Sequence, residues 1–267
     1  MAGGLLWLLW VDGLREGADN MAWDHTLALG LPPAVGVVRF YGWTRPTLSL
    51  GRNEPARDVF DPDRIQGSGV DLVRRPTGGR SVLHDEELTY AVLAPLKALG
   101  GARAAYALVN RGLAAGLSEL GVSAALAGSG PALPPDAGPC FREPAEGEVV
   151  SEGRKLIGSA QARVGPALLQ HGSILLEDGQ HRLDGLRVGG AEARPSEKDT
   201  GGIRGVLGRP VAVDEVARAV GEGLQRALPG DWRPSRGGAS LEEMGLPPEP
   251  APELLARYRS PEWSWRR

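Results

Sequence analysis

Four β-rich runs follow one another between Gly36 and Pro95: GVVRFYGW, TLSLGR, VDLVRR and LTYAVLAP. A doubly wound parallel sheet needs a helix after each strand, and these runs do not alternate regularly with helices. The order therefore points to an α+β domain of mixed, largely antiparallel sheets with flanking helices. The first two runs read as a hairpin about Trp43-Thr44-Arg45-Pro46, and the last two flank a Gly78-Gly79 turn. A later series, GEVV, RKLIGSAQAR and ALLQHGSILLE, continues the strands, with Ser151-Glu152-Gly153 as a turn.

Three segments carry helical patterns. ADNMAWDHTLALGL takes Asp19 or Asn20 as its N-cap and buries Met21, Leu27 and Leu29. From Arg103 to Leu120 an apolar stripe runs through Ala105, Val109, Leu113 and Leu117, and Gly121 ends it. Val216, Val220 and Leu224 stack at i+4 in a last helix over Val213 to Leu228. Residues 128–139 and 189–202 are loops by composition. No repeat or linker divides the chain, so residues 1–230 are expected to form one catalytic domain, with 231–267 a tail packed on it.

At 267 residues and 42% apolar content the chain can bury a sizeable core. Its net charge of -3 supplies no global basic field, so neither nucleic acid nor anionic membrane is an expected partner. The apolar stretch Leu5 to Val11 is too short to span a bilayer and reads as a first strand. One cysteine, Cys140, excludes an internal disulfide framework and fits a reducing, cytoplasmic setting.

The densest cluster of chemistry is RRPTGGRSVLHDEELTY, residues 74–90. Paired glycines let a ligand approach the main chain closely, and their amides can cradle a carbonyl or an anion. The spacing matches no nucleotide-binding loop, and a plain glycine hairpin with solvated arginines fits it equally well. In the second cluster, Lys155 enters the apolar strand LIGSA, where it either snorkels outward or points into a pocket. A lone thiol is only about 3% ionised at neutral pH, so Cys140 needs a cation beside it to act as a nucleophile, and Lys155 is the candidate.

RRPTGGRSVLHDEELTY resembles the Arg-Arg-x-(Ser/Thr)-Gly-Gly-x-x-x-x-His-Asp motif of the lipoate and octanoate protein ligase and transferase superfamily. GRKLIGSAQARVGPALLQHGSILLE is similar to that family's lysine and His-Gly strands. NMAWDHTLAL and RFYGWTRPTLSLGR stand in family order. Cys140-Phe141-x-x-Pro144, ahead of Lys155, resembles the segment of the octanoyltransferases that load the glycine-cleavage H protein. Those enzymes carry a serine and aromatics where this chain reads Ala145-Glu146-Gly147 before Glu148.

The resemblance implies a biotin/lipoate protein ligase-like catalytic domain, related to class II aminoacyl-tRNA synthetases. It implies transfer of an octanoyl group from octanoyl-acyl carrier protein, through a Cys140 thioester, to a lysine of a lipoyl domain or H protein. Cys140 and Lys155 would be catalytic. Arg75, Thr77, Gly78, Gly79 and His84, with Gly158, Ser159, Ala160, Gln161, His171 and Gly172, would bind substrate. Arg74, Arg75 and Arg80 would face the acidic carrier, and Asp85 would fix the His84 tautomer. Thioester exchange followed by amide formation needs no nucleotide, so no cofactor and no metal are expected. An ATP-dependent lipoate or biotin ligase, an amidotransferase between carrier domains and a non-catalytic carrier-binding protein are the alternatives.

Overall fold

The computed structural model describes residues 4–128, 141, 145–191, 202–235 and 237–266. In chain order the first elements are β1 (Leu5–Arg15), α1 (Gly17–Leu29), β2 (Val35–Trp43), β3 (Thr47–Leu50), α2 (Pro62–Gly67) and β4 (Asp71–Arg74). Next come β5 (Val82–His84), β6 (Glu87–Pro95), α3 (Ala102–Glu119), β7 (Ala124–Leu126), β8 (Val149–Ser151), β9 (Arg154–Val164) and β10 (Ala167–Leu175). The remainder is α4 (Gly202–Leu207), α5 (Val213–Ala227), β11 (Gly230–Pro234), α6 (Gly238–Glu243), α7 (Pro252–Arg259) and α8 (Pro261–Ser264).

Eight strands form one sheet in the order β11-β1-β2-β6-β10-β9-β8-β7, and β4-β3-β5 form a second. Every pair from β2 to β7 is antiparallel, whereas β11, β1 and β2 run parallel. This is the mixed α+β architecture that the order of the runs demands.

Side-chain alternation divides the core. On one face of the large sheet Val38, Phe40, Leu88, Tyr90 and Val92 pack against α3 and α5 through Val109, Leu113, Val220 and Leu224. On the other, Val37, Tyr41, Ala91 and Leu93 meet α1 and α7 through Met21, Leu27, Leu254 and Tyr258. The small sheet has its own core of Leu48, Leu50, Phe60 and Leu83. Residues 230–266 pack on this body: β11 lies beside β1, with Trp232 stacked on Trp7 at 5.3 Å.

Two local expectations are corrected. β2 and β3 do not form a hairpin, because the chain crosses at Thr44–Pro46 from the large sheet into the small one. Both strands are buried along almost their whole length, so each needs its own sheet on either side rather than one shared ladder. Helix α1 begins at Gly17, ahead of Asp19 and Asn20. The Asn20 side chain is committed elsewhere: its amide donates to Gly42 O at 2.9 Å and its Oδ1 accepts from Arg39 at 2.8 Å. Leu29 is 48% exposed rather than part of the buried face.

Candidate acyl-binding site

Two adjacent rungs of the large sheet build the floor of a slot. Tyr41, Thr89, Ser173 and Gly158 pair in turn across β2, β6, β10 and β9, and so do Arg39, Ala91, His171 and Ala160. Paired residues project to one face, so both rungs point the same way. Three strand-to-strand steps of about 4.8 Å give each rung a reach of roughly 14 Å. The small sheet supplies the roof through Ser49, Val82 and His84, joined by the turn at Gly79. The space between is narrow and partly open to solvent, with mostly apolar walls.

Gly79 sits at φ 92°, a region open to glycine, and a side chain there would strike the Arg75 guanidinium at 2.9 Å. Its position over Ala160 places the Gly78-Gly79 turn above β9. Gly158 is required for a different reason. A Cβ there would lie 2.7 Å from the Phe141 ring, so only glycine lets that ring close on the strand.

Lys155 is buried, and its Nζ donates to Glu148 Oε1 at 2.8 Å. It also lies 5.0 Å from the centre of the Phe141 ring. The lysine thus points inward rather than snorkelling. Glu148 is held in turn, since its Oε2 accepts from Ala145 N at 2.8 Å. Asn110 on α3 donates to Gly147 O at 2.7 Å and so ties this turn to the helix. Cys140 lies outside the described residues, one position before Phe141.

Arg74 and Arg75 do not face a carrier. Arg74 is fully buried; its guanidinium donates to Gly51 O, Glu54 O and Ser264 O at 2.6–3.1 Å. Arg75, also buried, donates to Ser49 O, Gly78 O and Arg80 O and braces the turn while lining the slot. Both are internal struts, because a guanidinium can satisfy several orphan carbonyls in a short segment with little regular structure. Arg80 is half-buried.

Both motif histidines line the slot. His84 is oriented by Glu87, not by Asp85: its Nδ1 faces Glu87 Oε1 at 2.8 Å, while Asp85 pairs with Arg182. Its ring stacks on Trp43 at 4.0 Å and its Nε2 meets Ser49 Oγ at 2.7 Å. His171 Nδ1 faces Asp24 Oδ2 at 3.0 Å and its Nε2 meets Thr77 Oγ1 at 2.6 Å. Burial holds the His171 pKa below the usual histidine value, outweighing the Asp24 bond. The neutral ring therefore donates from Nδ1 to Asp24 and accepts from the Thr77 hydroxyl at Nε2.

Of the remaining expected residues, Ala160 and Gly172 line the slot directly. The Ser159 hydroxyl points to the opposite face of the sheet, 2.7 Å from Tyr90 Oη, so only its backbone faces the cavity. Gln161 is half-buried and donates to Gln170. His25 pairs with Tyr258 away from the slot. Among the described residues no cluster of His, Cys, Asp or Glu could hold a metal ion, and no helix is long and apolar enough to cross a membrane.

Asp24, Arg39 and Glu87 were not singled out from the sequence, and Glu148 was noted there without a role. Asp24 and Arg39 carried a weak signal, as charged residues at positions whose neighbours are apolar in a helix and a strand.

The Lipoyl protein ligase A/B catalytic domain matches residues 16–225. An octanoyltransferase LipM of Kyrpidia tusciae is 36% identical over 98% of this chain and 99% of its own. One from Symbiobacterium thermophilum is 39% identical over 83% and 86%. Among solved structures, a lipoate-protein ligase A bound with ATP superposes with TM-score 0.76 at 21% identity, covering 98% of both chains. The bi-partite lipoate protein ligase of Thermoplasma acidophilum gives 0.67 at 22%, covering 98% of this chain and 96% of its own. At those identities the two structures speak to the fold alone.

Proposed function

The chain belongs to the lipoyl protein ligase A/B catalytic domain family, and we propose that it works there as an acyltransferase of protein lipoylation, moving an octanoyl group to a lysine of a lipoyl carrier. The donor is octanoyl-acyl carrier protein, the acceptor a lipoyl domain or glycine-cleavage H protein, and the setting the cytoplasm. The observation that carries this reading is the inward-pointing, ion-paired Lys155 beside Phe141, next in sequence to the only thiol, at the Gly158 end of an apolar slot.

Cys140 attacks the donor thioester as a thiolate, forming a new thioester and releasing the carrier thiolate, which takes a proton from the Lys155 ammonium and leaves that amine neutral. The Lys155 ammonium stabilises the thiolate by charge, and Glu148 fixes the direction in which that ammonium points. The acceptor lysine, as free amine, then attacks the Cys140 thioester. An amide forms, the thiolate leaves, and the amine proton passes to Lys155 or solvent. In this reading the Gly158 to Ala160 backbone and the Lys155 ammonium would face the carbonyl oxygen as it gathers charge. The acyl chain occupies the slot, whose apolar lining suits hydrocarbon.

Intact mass after exposure to octanoyl-acyl carrier protein without ATP tests the proposal. A hydroxylamine-labile octanoyl adduct is expected, absent from Cys140→Ala, which also loses transfer to the lipoyl carrier. Normal transfer by Cys140→Ala would overturn the thioester mechanism, and acid-dependent pyrophosphate release from ATP would establish a ligase instead.

A further inference from the structure

The apolar layer beneath α3 and α5 holds a closed circuit of polar side chains. Asn110 Oδ1 accepts from Gln170 Nε2 at 3.0 Å and from Ser159 Oγ at 3.4 Å. Tyr90 Oη accepts from the same Gln170 amide at 3.1 Å and lies 2.7 Å from Ser159 Oγ. Burial pushes the Tyr90 phenol well above its usual pKa, so it keeps its proton and can donate that bond. Each hydrogen then has a place. Gln170 uses both of its amide hydrogens, Tyr90 donates to Ser159, and Ser159 donates to Asn110.

Asn110, Gln170 and Tyr90 are all buried, and polar groups in such a layer carry a desolvation cost that apolar side chains of the same shape avoid. Val109, Leu113, Val220 and Leu224 already join helix and sheet there, so adhesion does not explain the circuit. Its two connections do. On one side, the Asn110 oxygen holds Ser159, which sits between Gly158 and Ala160, and those two residues line the slot from the opposite face of β9. A bond to the Ser159 hydroxyl fixes this backbone without filling the cavity. On the other side, the Asn110 nitrogen donates to Gly147 O at 2.7 Å. Gly147 precedes Glu148, whose Oε1 accepts from Lys155 Nζ at 2.8 Å. One planar amide, carried on a helix, thus sets the Glu148 turn against the slot strand.

We propose that Asn110 is a positioning residue for acyl transfer: its side-chain amide holds the turn that aims the Lys155 ammonium and the Gly158 to Ala160 backbone in one fixed relation. It touches neither the substrate nor the reacting atoms. It acts through Glu148 on Lys155 and through Ser159 on the strand. The inference rests on the acyl-transfer reading and adds to it a residue on the far side of the sheet from the slot.

Asn110→Leu keeps the volume, adds no charge and removes both arms. Self-acylation by octanoyl-acyl carrier protein, read by intact mass, is expected to fall in maximal rate by about tenfold to a hundredfold, the scale of a misplacement of about 1 Å. The half-saturating donor concentration should stay unchanged. Iodoacetamide should alkylate Cys140 more slowly at about pH 7 and at the wild-type rate at about pH 9, where the thiol ionises without help. Because Asn110 acts on the thiol through Lys155, adding Asn110→Leu to Lys155→Ala should slow alkylation no further. Ser159→Ala cuts only the strand arm, and should slow self-acylation while alkylation stays as in the wild type. Leu113→Ala, one turn along the same helix, controls for lost stability and should change neither. A folded Asn110→Leu with the wild-type maximal rate, equal slowing at both pH values, or an alkylation loss that adds to that of Lys155→Ala would overturn the positioning role in favour of a structural one. Asn110→Ser, whose shorter side chain cannot reach Gly147 O, decides by the same readings if Asn110→Leu fails to fold. The alkylation pattern without any acyl adduct on the wild type would overturn the transfer reading and leave the hold of Asn110 on Lys155 standing.

Discussion

Successive residues of β6 see two different interiors. Leu88, Tyr90 and Val92 enter the core beneath α3 and α5, which is mostly hydrocarbon apart from the bonds joining Tyr90, Gln170 and Asn110. Glu87, Thr89 and Ala91 face the other way, into a layer where Arg39, Asp24, His171 and His84 are all buried. The first face holds the sheet together without direction, because apolar packing tolerates small shifts. The second fixes positions, since Arg39, Asp24, His171 and His84 hold their partners at set distances. Period-two alternation lets one strand serve both ends at once.

The largest expected effect separates the faces most sharply. Arg39 has no exposed side-chain surface and joins Asp12, Asp24 and Asn20, with its guanidinium 4.0 Å from the Tyr41 ring. Arg39→Met leaves the fully buried Asp24 without its counter-ion and should cost about 3–5 kcal/mol in urea unfolding. It should also slow self-acylation by octanoyl-acyl carrier protein, because Asp24 anchors His171 in the slot.

Leu113→Ala on the opposite face should cost about 3 kcal/mol by the same measurement, as an uncompensated cavity. The folded fraction should keep the wild-type rate of self-acylation by octanoyl-acyl carrier protein. A slowed rate in folded Leu113→Ala would break the division between the faces.

The smallest effect sharpens the comparison through pH. Burial lowers the His171 pKa, with Arg75 and His84 opposing the charged ring and Asp24 favouring it. Burial, then Arg257 and Arg52, lowers that of His25 to about 4. An unfolded chain takes up these protons near pH 6.5 and the folded one only below its lowered values. Stability should therefore be full above about pH 6.5 and fall as the pH drops toward 4. Thermal midpoints across that range check the sign, and a rise on acidification would contradict it.

Much of the apolar half was legible in the sequence. The stripe from Ala105 to Leu117 and the stack Val216-Val220-Leu224 gave two helices within a residue or two of their ends, because one buried face repeats at 3.6 residues. Motif chemistry brought Gly79, His84, Gly158, Ala160 and His171 to one slot. What stayed hidden depended on pairing across the fold. Arg74 and Arg75 read as solvent-facing cations because the carbonyls that bury them belong to Gly51, Ser49 and Ser264, far away or of no distinctive type. Asp85 looked like the partner of His84 by adjacency, yet it lies in the bend after β5 and pairs with Arg182, and Glu87 at the start of β6 takes that place. α2 was missed because one short turn, capped by Asp61, carries no measurable period.

The strut from Arg74 to Ser264 O closes a loop of 190 residues, and Trp263 Nε1 returns a bond to Arg74 O across 189. Contacts of that separation are slow to find, because chain entropy must be given up before they reward it. The roof belongs to a small sheet of short strands, so its final seating has to wait for α8 to arrive. Refolding should then show β-ladder signal first and a competent acyl slot only in a later phase. The site would be the last part of the molecule to mature, although its glycine turn lies in the first third of the chain.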